Sequence, residues 1–371
     1  TRKESSAASD VYKRQVVTGC MAERYGQELA DALPEADQIA GFGVPIQLGR
    51  KPISVTSEVP KFDLLNLPRP KSSMPWAYVK IAEGCDRNCG FCAIPAFRGP
   101  QRSRDVAAIL KEVEQTEARE IVLVAQDLAS YGKDRPEELG AGSIVQLVRE
   151  VSSMVDWVRL LYLYPSDLSD ELIEAMLETG VPYFDLSLQH VSKAHLRRMR
   201  RWGDKERFLE RIQRIRTMAP EATFRSNFIV GYPGETEEDH DQLLEFVQEA
   251  QLDWCGFFSF SPEEGTHALT LPDHVEESLM NERLAELREL QDTITSHKRD
   301  ELLDQKITVL VDEPGIARSF REAPEIDGVV QVPESLKVGQ FYEVTIEQVF
   351  GPDVIAATSP VNLLDGVRSG R

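Results

Sequence analysis

From Trp76 onward the chain alternates between short apolar runs and longer segments whose apolar residues recur every three to four positions. The runs are 76-WAYVKIA-82, 121-IVLVAQD-127, 158-VRLLYLY-164, 183-YFDLSLQ-189, 224-FRSNFIVGY-232 and 254-WCGFFSF-260. Helical periodicity follows them, as in 105-DVAAILKEVEQTEA-118, 170-DELIEAMLETG-180 and 237-EEDHDQLLEFVQEA-250. Short β-rich runs read as strands, and a period near 3.6 reads as helix. Thr236, with Asp239 three residues on, is placed to cap a helix start, and Gly180 to stop one. Strand–helix repetition predicts an α/β fold with a parallel sheet and helices packed outside it. There are six such units. That is too few for a closed barrel of about eight strands, so an open, partial (βα)6 barrel is expected, with its chemistry at the C-terminal strand ends.

A long charged helix over about 276–304 closes this pattern. The runs 306-KITVLVD-312, 326-IDGVVQVP-333, 341-FYEVTIEQVF-350 and 353-DVIAATS-359 are then short, β-branched and separated by Gly and Pro. They predict a small antiparallel β-barrel. On the other side, 50-RKPISVTSEVPKFDLLNLPRPKSSMP-75 carries five prolines and reads as an extended linker. Residues 1–15 are polar and aperiodic, join abruptly to VVTGCMA, and read as a non-native leader. The expected division is leader 1–15, a partial N-terminal domain 16–50, linker 51–73, barrel core 74–304 and small barrel 305–371.

Composition narrows the setting. The 371 residues, 42% hydrophobic, suffice for two or three buried cores. No stretch approaches the ~20 apolar residues of a membrane span, and no secretory signal opens the chain. Five cysteines, an odd and clustered set, do not make a disulfide framework; a reducing, cytoplasmic setting suits them better. The net charge of −20 repels nucleic acid unless a local basic patch reverses it. It favours a basic partner, and it serves solubility equally well.

Three of the five thiols, Cys85, Cys89 and Cys92, fall within 79-VKIAEGCDRNCGFCAIPAFRG-99, directly after the first barrel strand. Zinc sites usually pair C-x2-C units and supply four ligands. A C-x3-C-x2-C loop supplies three thiolates with no histidine near, which suits an iron–sulfur cluster with one iron left open. An incomplete zinc site and a chance group of reduced thiols are the alternatives.

This loop resembles the signature of radical S-adenosylmethionine (SAM) enzymes, whose fold is also the partial barrel. The resemblance implies a 4Fe–4S cluster on Cys85, Cys89 and Cys92, SAM on its open iron, and Phe91 against the adenine. Further segments resemble the methylthiotransferase branch: 18-TGCMAERYG-26, 95-PAFRGPQRSR-104, 123-LVAQDLASYGKD-134, 229-IVGYPGET-236 and 257-FFSFSPEEGT-266. The terminal barrel resembles the TRAM domain of that branch. Within it, 161-LYLYPSDLSDELIEAM-176 and 184-FDLSLQHVSKAHLRRMRR-201 are similar to the type that modifies a ribosomal protein, since His190 follows Gln189 where the tRNA-modifying type has a glycine- and serine-rich turn. Acidic residues outnumber basic ones by four in 306–371, which suits a basic ribosomal partner better than RNA.

The resemblance implies methylthiolation at the β-carbon of an aspartate in protein twelve of the small ribosomal subunit. It also implies an electron donor protein and allows RNA contact through the ribosome. The alternatives are a tRNA adenosine methylthiotransferase and a non-catalytic iron–sulfur docking module. A second 4Fe–4S cluster, on three cysteines of the N-terminal domain, belongs to the branch. Cys20 is the only cysteine before position 85, so Cys20 is expected to be one ligand of a cluster incomplete here, its two other ligands lying in a missing N-terminal part. Resemblance assigns no individual catalytic side chain.

Other residues keep two readings. Gln126, Asp127 and Gln189 either line the cofactor cleft or are solvated strand ends. Gly231 and Gly234, in 230-VGYPGE-235, either let the backbone approach the adenine or make an ordinary turn. Arg98, Arg102 and Arg104 either contact carboxylates or face solvent. Cys255 is expected to be a small buried hydrophobe, His190 a hydrogen-bonded structural residue, and 197-RRMRR-201 a solvated helix end.

Overall fold

The computed structural model describes residues 15–41, 64–66, 71–140, 143–357 and 361–362, with backbone alone at Leu64, Val361 and Asn362. Residues 1–14 of the expected leader 1–15 and most of the expected linker lie outside the described residues. The chain forms two compact units that divide after Arg69.

In the first unit, strand β1 (Val16–Thr18) leads into helix α1 (Cys20–Ala32), and β2 (Gln38–Ala40) pairs parallel with β1. Ala22, Leu29, Ala30 and Ile39 form its small core. Gly19, at φ 92°, makes the turn from strand to helix, a conformation that suits glycine.

The second unit opens with β3 (Trp76–Lys80) and β4 (Ala82–Glu83). The cysteine loop, α2 (Ile94–Arg98) and β5 (Arg102–Ser103) follow, with β5 antiparallel to β4. Then come α3 (Val106–Thr116), β6 (Glu120–Val124), α4 (Pro136–Leu139), α5 (Ser143–Ser152), β7 (Trp157–Leu160) and α6 (Asp170–Leu177). Next are β8 (Tyr183–Gln189), α7 (Lys193–Arg198), α8 (Lys205–Met218), β9 (Thr223–Val230), α9 (Glu237–Ala250), β10 (Trp254–Ser259) and α10 (Glu277–Asp300).

Strands β3, β6 and β7 pair in parallel, as do β8, β9 and β10. A parallel bridge from Leu163 to Leu186 joins the two halves. This is the expected open barrel of six parallel strands. Alternation explains its layering: Ile121 and Leu123 of β6, and Phe224 and Phe228 of β9, turn outward into the core shared with the helices. Helix α9 starts at a complete capping box, with the Thr236 and Asp239 side chains each bonding the other's backbone.

One strand stops early. The run 158–164 reads as extended throughout, but Tyr162 turns to φ 62° and its N–H goes to Asp185 Oδ2, 3.0 Å away, instead of the ladder. The chain therefore breaks toward the barrel interior at that point.

The C-terminal strands are β11 (Lys306–Glu313), β12 (Ile316–Arg318), β13 (Val330–Gln331), β14 (Phe341–Phe350), β15 (Asp353–Ala356) and β16 (Val361–Asn362). The order β11-β12-β13-β15-β14, closed by pairing of β14 with β11, makes a small barrel. A ring with an odd number of strands cannot be antiparallel at every step, and here β13 and β15 are the parallel pair. Val309, Val311, Val344, Ile346 and Val354 fill it. Among the described residues, no helix is long and apolar enough to cross a membrane.

Candidate active site

The cysteine loop leaves the C-terminal end of β3 through Gly84. There φ is 84° and an added Cβ would lie 2.1 Å from the Pro100 carbonyl oxygen, so only glycine closes the loop. Two bonds hold the closure: Gly84 N–H donates to Gln126 Oε1 at 2.9 Å, and Cys85 N–H to the Gly99 carbonyl at 3.1 Å. Cys85, Cys89 and Cys92 line one cavity of about 320 Å³ at the C-terminal strand ends, together with Phe91, Gln126 and Gln189. Asp127 lies on the same wall. These residues come from three different strand–helix turns.

Cys85 is buried, and Cys89 and Cys92 are half-buried. Burial pushes the Cys85 thiol up to about 11, opposed by the N–H of Arg87, and burial raises Cys92 as well. Thiolates so placed need a cation to neutralise them. Among the described residues, the group that places three metal-binding atoms within 4.8 Å of one another is His190, His195 and Glu235. The cysteine sulfurs are more widely spread, as ligands at separate corners of a multi-iron cluster must be. Soft sulfur donors with no imidazole on the wall fit iron–sulfur chemistry.

The histidine group itself is structural. His190 Nδ1 accepts the Ser192 N–H at 3.1 Å, so the neutral ring carries its proton on Nε2 and presents no lone pair to a metal there. Burial holds both rings neutral, pushing His195 down to about 4. Glu235, pushed up to about 7 by burial, accepts from Gly231 N–H at 2.7 Å and from Arg283 at 2.8 Å. It thereby braces the 231–235 turn. Gly231 is not on the cavity wall; at φ 80° it packs against Met280, which a Cβ would meet at 2.2 Å.

The remaining candidates separate. Arg98 pairs with Glu83 at 2.7 Å, Arg102 is exposed, and Arg104 is buried, paired with Glu112 at 2.6 Å and bonded to the Lys80 carbonyl. Cys255 is half-buried on β10 and packs against the main core. Cys20 is exposed at the first residue of α1.

The Radical SAM superfamily model matches residues 79–247, and the TRAM domain model matches 304–358. Three relatives, each described as ribosomal protein uS12 methylthiotransferase RimO, align over most of the chain. The Moorella thermoacetica protein is 42% identical, covering 86% of this chain and 77% of its own. The Thermodesulfovibrio yellowstonii protein is 38% identical, with 94% and 84% covered. That of Thermotoga maritima is 39% identical, with 92% and 82% covered. The chain belongs to the RimO family.

RimO membership makes this a radical SAM methylthiotransferase, and the radical SAM family implies a 4Fe–4S cluster and SAM. The cavity also holds side chains that no sequence motif singled out. Arg87, inside the cysteine loop, bonds Asp127 Oδ2 at 2.6 Å and stacks 3.9 Å from the Tyr164 ring. Arg201 stacks 4.4 Å from the same ring. Its Nη1 donates to Cys89 Sγ at 3.2 Å and its Nη2 to the Ser187 carbonyl. The basic run 197–201 is therefore not uniformly a solvated face: Arg201 turns inward. Tyr162 also lines the RimO cavity.

Proposed function

We propose that this chain methylthiolates an aspartate β-carbon of ribosomal protein uS12, with Cys85, Cys89 and Cys92 as ligands of its radical SAM cluster. The chemistry rests on one observation: three cysteine sulfurs, one buried and two half-buried, share a cavity wall with Phe91, Gln126 and Gln189 at the C-terminal strand ends. The substrate rests on the relatives, each named for uS12. A chain of net charge −20 also attracts a basic ribosomal protein.

When bound, the cluster and SAM supply a 5′-deoxyadenosyl radical able to take hydrogen from an unactivated carbon. The chain's residues do the orienting. Phe91, edge-on to Tyr232 at 6.5 Å, offers an aromatic face for the adenine. Gln126 is held by Gly84 N–H and Glu83, so its amide is fixed at the rim. Gln189 ends β8 at φ 71°, a conformation that aims its side chain out of the ladder and into the cavity.

Cys20 is one ligand of a second, sulfur-donating 4Fe–4S cluster that is incomplete here, and residues 16–50 are part of the N-terminal domain that holds it. Residues 74–304 are the radical core and 305–371 the module that docks the ribosomal protein. An electron donor protein reduces the cluster, the setting is cytoplasmic, and RNA contact comes through the ribosome.

The test is to incubate reconstituted enzyme, SAM and reductant with uS12 and separately with unmodified tRNA, and to follow the 5′-deoxyadenosine formed. Stimulation by uS12 is expected. Stimulation by tRNA alone would replace this reading with the tRNA one.

A further inference from the structure

Each cluster cysteine has a hydrogen-bond donor, and one of the three donors differs in kind. Cys85 Sγ receives the backbone N–H of Arg87 at 3.4 Å, and Cys92 the backbone N–H of Ile94. Cys89 Sγ instead receives a guanidinium, from Arg201, at 3.2 Å. That side chain comes from 112 residues further along.

Arg201 is held from three sides. Its Nη2 donates to the Ser187 carbonyl near the end of β8, its plane lies 4.4 Å from the Tyr164 ring, and its own N–H returns to the Leu196 carbonyl at 2.7 Å. Tyr164 is fixed in turn by the Trp202 N–H at 3.3 Å and by Arg87 on the ring. A planar cation locked this way presents one N–H to sulfur in a fixed direction.

We propose that Arg201 is a positioning residue that raises the reduction potential of the cluster by placing a charged hydrogen-bond donor on Cys89. The inference rests on the assignment of Cys85, Cys89 and Cys92 as cluster ligands. Hydrogen bonds and positive charge near cluster sulfur stabilise the reduced, more electron-rich form over the oxidised one. The same guanidinium ties Ser187 of β8 and Tyr164, which follows β7, to the cluster loop.

The test compares wild type with Arg201→Gln, which keeps an N–H donor without charge, and Arg201→Met, which keeps neither. Iron content, the paramagnetic resonance of the reduced protein and the midpoint potential by redox titration are measured, without turnover. Wild-type iron content with a lowered potential in both variants is expected, Met lower than Gln. A potential unchanged in both variants, with iron retained, overturns the inference and leaves the ligand assignment intact. If Met fails to hold iron, Gln carries the comparison with the same two outcomes. Wild type that binds no cluster overturns the assignment and the inference together.

Discussion

The Asp327 carboxylate of the small barrel accepts a 2.6 Å hydrogen bond from the Tyr183 hydroxyl, at the floor of the large one. Arg225 of β9 pairs with the same carboxylate at 2.9 Å. Nearby, Arg318 of β12 pairs with Glu120 of β6 at 2.8 Å, and Arg159 donates to the Phe320 carbonyl at 3.0 Å. The small barrel thus closes the end opposite the cysteine loop with buried, paired charges. Removing one partner of such a pair leaves the other stranded. Asp327→Ala is expected to cost about 3–5 kcal/mol in chemical denaturation, and Asp327→Asn less. A loss below about 1 kcal/mol in the alanine variant, the range of exposed pairs, would show the network to be peripheral.

Asp185 sits above that floor, with Tyr162 N–H on Oδ2 at 3.0 Å and Arg225 at 3.8 Å from Oδ1. Burial pushes its carboxyl up to about 6, with Arg225 opposing. A raised carboxylate pKa means the folded state holds the proton longer than the unfolded chain does. This group's contribution is therefore full below the ordinary value of 3.8 and is lost as pH rises toward about 6. The loss is about 3 kcal/mol. Denaturation from pH 4 to 7 should show that slope in wild type, and Asp185→Asn should flatten it.

Gly84 and Gly99 make a controlled pair on the cysteine loop. Both have positive φ, but a Cβ at Gly84 meets Pro100 O at 2.1 Å, whereas one at Gly99 meets nothing within 4 Å. Gly99→Ala should cost about 1 kcal/mol for backbone strain alone. Gly84→Ala should cost more than about 2 kcal/mol and lower iron uptake on reconstitution. Equal effects of the two would remove loop closure from the account.

Two non-glycine residues on the cavity wall, Tyr162 and Gln189, carry positive φ at 62° and 71°. Such strain is tolerated where the side chain's aim matters. Gln189→Gly is expected to leave stability unchanged or raised by up to about 1 kcal/mol. It should weaken SAM binding at unchanged iron content. Calorimetric melting and equilibrium binding read the two effects separately.

The barrel was legible because each strand–helix unit carries its own period, down to the Thr236–Asp239 cap. The cluster loop was legible because its three cysteines are contiguous in sequence. The small barrel was only partly so: β12 at Ile316–Arg318 has no pattern of its own, and the run 326–333 pairs only at Val330–Gln331. Both are set by ring closure, a non-local constraint. Arg201 was illegible for the same reason. It reads as part of a basic helix end until Arg200, at φ 57°, turns the chain back and brings it to Cys89. Tyr162 leaves its strand through a bond to Asp185, which no window around position 162 contains.

The most direct test of the central claim uses uS12 deuterated at aspartate β-carbons, anaerobically reconstituted enzyme, SAM and a strong reductant. The quantity measured is deuterium in the 5′-deoxyadenosine formed. The account predicts deuterium transfer in wild type and none in the Cys85→Ala, Cys89→Ala or Cys92→Ala variants. 5′-Deoxyadenosine formed without deuterium in the presence of uS12, or cleavage that survives loss of a cluster cysteine, would contradict it.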